Sequence, residues 1–333
     1  MRRVLAIVLA LALLAALAGC AAAPESDSGK LQVVATVFPY YDFARAIGGE
    51  DAEVTLLVAA GREAHSFEPT PLDVIKVWRS DVFLYNGGES EAWVEEILDA
   101  AGENIRETVA IMDGLALLEE ELAEGMQETA SAHDHQGEHD EHDHDQHDDH
   151  DDHDDEEIEY DEHVWTSPVM AQGICETIRD ALCRADPDHA EGYTARAEDY
   201  IAKLQDLDAQ FREVVAGGRR STLVFGDRFP LLYFCRTYGL DYRAAFQGCA
   251  ADTEPRLGTL QYLIDYVGQE EIPVVYTIEL SSHKIADAIA ETTGAAVLTF
   301  ESCQTVSRAD FAAGCTYLDL MERNVDALRE GLR

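Results

Sequence analysis

Histidine and carboxylate crowd together in one stretch of this chain. His133, His135, His139, His142, His144, His147, His150 and His153 lie within residues 133–157, among fourteen Asp and Glu and no Lys or Arg. Imidazole and carboxylate are the donors that borderline divalent cations such as zinc accept. The run holds almost no apolar side chains to offset the entropy of ordering, so it is expected to be disordered when empty and to collect cations weakly. Four other positions carry donors of the same kind. His65 lies in the loop Gly-Arg-Glu-Ala-His65-Ser-Phe-Glu-Pro-Thr-Pro71, and His163 lies in Asp161-Glu-His-Val-Trp165. Asp227 lies in Phe225-Gly-Asp-Arg-Phe-Pro230, and Glu279 in Thr277-Ile-Glu-Leu280. A lone loop histidine is ordinarily a solvated side chain, Asp227 and Arg228 could be a local ion pair, and Glu279 could be a charge at a helix N-terminus. A carboxylate ending an apolar strand nevertheless needs a partner. Two histidines and two carboxylates together would make a four-donor nitrogen and oxygen site.

The elements that must position these groups fall into two similar series. From Leu31, short β-branched runs alternate with amphipathic stretches. Strands are predicted at Leu31–Val37, Val54–Val58, Val82–Tyr85 and Thr108–Met112. Helices are predicted at Tyr40–Ile47, from the Thr70-Pro71 cap to Trp78, and at Ala92–Ala100. The acidic run interrupts this lobe, and Ser167-Pro168 then opens a helix to about Arg184. Asp186-Pro187 opens a longer one, with Tyr193, Ala197, Tyr200, Leu204, Leu207, Phe211 and Val214 on one stripe before Gly217-Gly218. At the α-helical rise that stripe spans about 43 Å, roughly twice an ordinary crossover helix. It reads either as a surface helix packed on one lobe or as a spine between two.

A second series follows, with strands predicted at Thr222–Phe225, Tyr242–Phe246, Val274–Ile278 and Ala296–Phe300. Its helices are predicted at Phe229–Tyr238, Leu257–Val267, Lys284–Thr293 and Tyr317–Leu332. The fold class is therefore α/β, with two mostly parallel four-stranded sheets joined by a long rigid helix. The domain limits expected are 31–186, 187–217 and 218–333. Ligands of open α/β sheets bind at the strand ends, here in a cleft between the lobes.

The formal charge of -42 excludes some partners. Such a field repels nucleic acid and anionic membrane surfaces and attracts cations. At the N-terminus, Arg2 and Arg3 precede an apolar run from Val4 to Leu17, too short to span a bilayer comfortably and right for a signal-peptide core. Leu17-Ala-Gly-Cys20 then resembles the bacterial lipobox, which implies cleavage and lipidation at Cys20. Residues 21–30 have the composition of a flexible tether. The expectation is a monomer outside the cytoplasm, held to the cell membrane by its lipid alone.

Export makes disulfides among the six remaining cysteines an expectation. Cys175 and Cys183 stand about 12 Å apart along one predicted helix, too far to bridge. Cys249 and Cys303 both follow predicted strand ends and are the expected pair.

The lipobox, the loop GREAHSFEPTP, the His- and acid-rich insertion, DEHVW, the long central helix and the closing TYLDLMERNVDALREGL together resemble the cluster A-I solute-binding proteins. These are the zinc- and manganese-binding lipoproteins of bacterial ABC importers. The resemblance spans Leu31 to Arg333. It implies two lobes around one metal, with His65 and His163 as the first two ligands and Glu279 as the fourth. The position of the family's third histidine, counted back from Tyr238-Gly-Leu240, holds Arg228, whose guanidinium cannot ligate a cation. Either Asp227 supplies oxygen there, or Arg228 neutralises Asp227 and another group completes the shell. Glu301, Cys303 and Gln304, after the last strand, are candidates, as is Cys249 if unpaired. Two histidines with carboxylates shift preference toward Mn2+ or Fe2+, whereas the His-rich run implies Zn2+ in this family, and zinc is the metal expected. The expected function is capture of the metal and delivery to an ABC permease, with no enzymatic step. The alternatives are manganese or iron uptake, a surface metal buffer or adhesin, and a metallohydrolase with Glu63 as its base. No His-Glu-x-x-His pair is present to support the last.

Overall fold

The computed structural model describes residues 29–101, 105–126, 159–248 and 256–333. Cys20, the histidines from His133 to His153 and Cys249 lie outside them. Two four-stranded sheets, each parallel throughout, are built in the same order. The first pairs β2-β1-β3-β4, from β1 Leu31–Ala35, β2 Ala52–Leu56, β3 Val82–Tyr85 and β4 Glu107–Ala110. The second pairs β6-β5-β7-β8, from β5 Thr222–Phe229, β6 Asp241–Gln247, β7 Val274–Thr277 and β8 Ala296–Thr299.

The connecting helices of the first lobe are α1 Phe38–Gly48, α2 Pro71–Trp78, α3 Trp93–Ala101 and α4 Pro168–Ala185. The Thr70 signal is realised in full. Its hydroxyl accepts from the Asp73 amide, the Asp73 carboxylate accepts from the Thr70 amide, and Pro71 fills the first turn. In the second lobe the helices are α6 Leu232–Tyr238, α7 Leu257–Gln269, α8 Lys284–Thr293, α9 Arg308–Ala313 and α10 Tyr317–Gly331.

Between the lobes runs α5, Ala190–Gly217, with 28 residues. The Asp186-Pro187 signal starts a single 3-10 turn, Pro187–His189, and the α-helix follows it. All the residues of the predicted stripe from Tyr193 to Phe211 are buried, each large one worth roughly 1.5–3 kcal/mol of hydrophobic transfer. One continuous apolar cluster contains Val33 and Phe43 of the first lobe, Leu204 and Phe211 of α5, and Phe225 and Leu328 of the second. The outer faces of the two sheets carry smaller clusters of their own, around Phe83 and around Val275. The long helix is thus a spine shared by both lobes rather than a helix laid on one. Among the described residues, no helix is long and apolar enough to cross a membrane.

Most predicted elements are displaced by only one or two residues, but β5 is an instructive exception. It was expected to end at Phe225 and instead reaches Phe229, with its register against β6 shifting between Phe225 and Arg228. A bulge of this kind inserts unpaired residues and re-aims their side chains. Asp227 and Arg228 therefore project from a distorted strand and not from a loop after it.

Candidate metal centre

His163 is held by a short turn between the two lobes. The turn is clamped from both sides, since Asn86 Nδ2 donates to the Glu162 carbonyl at 3.0 Å and Tyr233 Oη donates to the Asp161 carbonyl at 2.8 Å. Asp161 Oδ1 accepts from the His163 amide at 2.8 Å and lies 3.2 Å from its Nδ1. A carboxylate there fixes the proton on Nδ1 and leaves the lone pair on Nε2, the arrangement that orients metal-ligating histidines. Trp165 packs edge-on against the imidazole and donates its Nε1–H to the Ser302 carbonyl at 2.9 Å. Gly248 leaves room for the ring, because a Cβ there would stand 3.3 Å from His163 Cε1 and 2.8 Å from the Phe229 carbonyl oxygen.

His65 comes from the turns between β2 and α2, a loop tied to the second lobe where the Gly61 amide donates to the Val306 carbonyl at 2.8 Å. Its Nε2 lies 3.3 Å from His163 Nε2 and 3.1 Å from the side-chain nitrogen of Gln304, while its Nδ1 is buried without a hydrogen-bond partner. Burial, then His163 and Arg228 nearby, push the His65 pKa down to about 3. His163 goes the other way: burial opposes its charged form, but Asp161, with Glu162 and Glu120 behind it, outweighs that and raises its pKa. The pair as a whole thus presents one imidazole that stays neutral and one that a carboxylate has made more basic.

The spacing of the two nitrogens fits a metal. Two donors on tetrahedral zinc, each at about 2.0–2.1 Å, stand about 3.3 Å apart. His65 lines a cleft of about 1320 Å³ together with eight carboxylates, Asp227 and Glu63 among them, and the cations Arg228 and Lys284, while His163 itself is buried.

The other sequence candidates are distributed less simply. Asp227 lines the cleft, with Oδ1 accepting from the Arg228 amide at 2.9 Å and Oδ2 from the Ile278 amide at 3.4 Å. The Arg228 guanidinium does not neutralise Asp227; its Nη2 crosses the cleft to Glu63 Oε2 at 2.9 Å. Glu279 is half-buried, and its carboxylate accepts from the Ser302 amide and hydroxyl at 2.6 and 2.5 Å. Burial raises its pKa against the pull of those bonds. Glu301 turns toward Arg323, and its pKa is pushed up to about 7 by burial and by Glu279. Cys303 is buried as a free thiol whose Sγ donates to the Glu301 carbonyl at 3.8 Å. The described cysteines Cys175, Cys183, Cys235 and Cys315 are free as well. Of the three candidates after β8, Gln304 alone touches a histidine. Among the described residues, no three His, Cys, Asp or Glu side chains converge as a metal would require.

The profile of the family described as zinc-uptake complex component A, periplasmic, matches residues 33–331. The zinc-binding lipoprotein AdcA of Streptococcus pneumoniae R6 is 32% identical over 316 residues, covering 94% of this chain and 58% of its own length. The high-affinity zinc uptake system protein ZnuA of Bacillus subtilis is 33% identical over 308 residues, covering 92% and 89%. This chain thus spans little more than half of the streptococcal relative. The crystal structure of the zinc-bound ZnuA-like domain of the pneumococcal AdcA superposes with a TM-score of 0.71 at 28% identity, covering 91% of this chain and 99% of that one. A laminin-binding adhesin of Streptococcus agalactiae shares the fold at 23% identity and a TM-score of 0.71.

Proposed function

This chain belongs to the family of zinc-uptake complex component A, and on that premise we propose that it captures Zn2+ outside the cytoplasm and hands it to the permease of an ABC importer. The 3.3 Å separation of His65 and His163 Nε2 carries the reading, because it matches the edge of a zinc tetrahedron and His65 lines an acidic cleft. His65 and His163 supply nitrogen, and the second lobe offers Asp227 and Glu279 as oxygen donors. The ion is cargo, exchanged for water on entry and released on delivery, with no bond in it made or broken by catalysis. The two lobes at 31–186 and 218–333 and the spine at 187–217 act as one body around the cleft. Lipid attachment at Cys20 would hold the protein, as a monomer, beside its permease, and the His133–His153 run would raise the local concentration of the ion.

The test is zinc titration of the chain against a chromophoric chelator that outcompetes the acidic run. One tight equivalent is expected, weakened at least about a thousandfold in His65→Ala and in His163→Ala, since each removes a donor from the site. A tight equivalent that survives both substitutions would sink the proposal.

A further inference from the structure

Arg228, at the position where the family resemblance implies a third histidine, is engaged with Glu63. What the second lobe puts against the histidine pair is the side-chain amide of Gln304, 3.1 Å from His65 Nε2. That contact is held from several directions. The Gln304 carbonyl accepts from the Phe38 amide at 3.2 Å, the neighbouring Val306 carbonyl from Gly61, and the Ser302 carbonyl from Trp165. The loop 302–306 is therefore hydrogen-bonded to the first lobe on both sides of Gln304. From behind, Glu279 fastens the same loop through Ser302. Cys303 adopts φ +62°, a left-handed conformation that a side chain bearing Cβ adopts at a cost. It precedes Gln304, whose side chain meets His65 while Cys303 itself is buried.

We propose that Gln304 is a metal ligand of this site and a determinant of its metal preference, its amide oxygen taking a coordination position beside His65 and His163. The proposal rests on the zinc-capture reading above. A hydrogen bond from the amide nitrogen to His65 Nε2 is incompatible with a metal on that same atom. Rotation of the amide by half a turn exchanges nitrogen for oxygen at no steric cost, since the two atoms are nearly the same size. A neutral carbonyl oxygen is harder than imidazole, so a site of two histidines and an amide tolerates manganese better than a three-histidine site does. Glu279 becomes a positioning residue for this donor as well as an oxygen the shell can call on.

The experiment compares the unaltered chain with Gln304→Ala, Gln304→His and Gln304→Glu. It uses zinc and manganese affinities, the visible spectrum of the Co2+-loaded protein, and an anomalous difference map of zinc-loaded crystals. Gln304→Ala is expected to weaken zinc about 10–100-fold and to change the Co2+ bands. Gln304→His should raise the preference for zinc over manganese, and Gln304→Glu should lower it. In the crystal, the Gln304 oxygen is expected at about 2.0–2.2 Å from zinc. Unchanged affinity and Co2+ spectrum in Gln304→Ala, or a zinc shell that leaves Gln304 out, would overturn this assignment. If His65→Ala and His163→Ala still abolish tight binding in that case, zinc capture stands and only the Gln304 assignment falls. Melting of each metal-free variant at the temperature of the unaltered chain shows that the effect is not unfolding.

Discussion

The two lobes share a strand order and face the same cleft, yet they prepare it differently. The first lobe presents groups that are already fixed. His163 is completely buried, its ring set by Asp161, Trp165 and a turn clamped by Asn86 and Tyr233. The second lobe directs its carboxylates elsewhere. Glu279 fastens a loop, Glu301 meets Arg323, Asp227 accepts from two backbone amides, and Arg228 reaches across to Glu63. On the proposed reading one half of the site is pre-organised, and the other would have to rearrange some of its side chains to complete a metal shell. The same topology has been given a template on one side and an adjustable closure on the other.

That contrast can be attacked at its strongest point first. Asp161→Asn keeps the size of the side chain but loses the charge that makes His163 a better donor, and it should cost about 10–100-fold in zinc affinity. A comparable loss from Asp227→Asn and none from Asp161→Asn, in chelator competition, would reverse the roles assigned to the lobes. The pH profile comes next. A protonated imidazole cannot bind metal, and His163, with its pKa raised by Asp161, holds its proton at higher pH than an ordinary histidine. Zinc affinity should therefore fall by about tenfold per pH unit once the pH drops below the raised pKa of His163. His65, down to about 3, adds no proton competition near neutrality. A profile that steepens to two protons between pH 5 and 7 would show that the histidines are not divided in this way.

A smaller effect concerns the support behind the first lobe. Glu91 is buried beside Glu162, its pKa is pushed up to about 7 by burial, and its carboxylate accepts from the Asn86 and Gly87 amides. The folded chain therefore holds this proton more tightly than the unfolded chain, and stability declines as pH rises from the ordinary carboxylate range through about 7. Glu91→Gln should remove that decline and raise stability at pH 8 by roughly 1–2 kcal/mol, measured by urea unfolding at pH 5 and pH 8. The smallest effect belongs to the adjustable side. Arg228 and Glu63 are 21% and 38% exposed, so a double-mutant cycle with Arg228→Met and Glu63→Gln should give a coupling below about 1 kcal/mol that shrinks with salt. A coupling of several kcal/mol would make the second lobe as rigid as the first.

The sequence made one half of this site readable and hid the other. His65 and His163 could be found because their residue type is rare outside the acidic run and each stands in an aromatic or proline-flanked loop. The long helix was legible from its stripe, which left open whether it lies on one lobe or between two, and Pro71–Trp78, Val82–Tyr85 and Lys284–Thr293 fall at the limits predicted for them. Asp227 and Arg228 were placed after a strand predicted to end at Phe225, whereas pairing with β6 carries β5 through a bulge to Phe229. Gln304 drew little notice because its place at the site depends on a left-handed Cys303 and on hydrogen bonds to Phe38 and Gly61. These are contacts between residues more than two hundred positions apart, and no local pattern encodes them. Glu279 was singled out as a carboxylate that ends an apolar strand and needs a partner, and its partners are the Ser302 amide and hydroxyl.

The apolar cluster that runs unbroken from the first sheet through α5 into the second bears on how the proposed zinc cargo would leave. Separating the lobes would tear that cluster and expose side chains from Val33 to Leu328, so the protein has no inexpensive hinge by which to spill its ion. Under the proposed function, release would then be a handover, in which an acceptor brings its own donors to the mouth of the cleft and takes the ion one bond at a time. The rate of zinc loss should rise in proportion to the concentration of a small competing chelator instead of levelling off at a rate set by opening. On this view the residence time of the ion is decided by whoever comes to collect it.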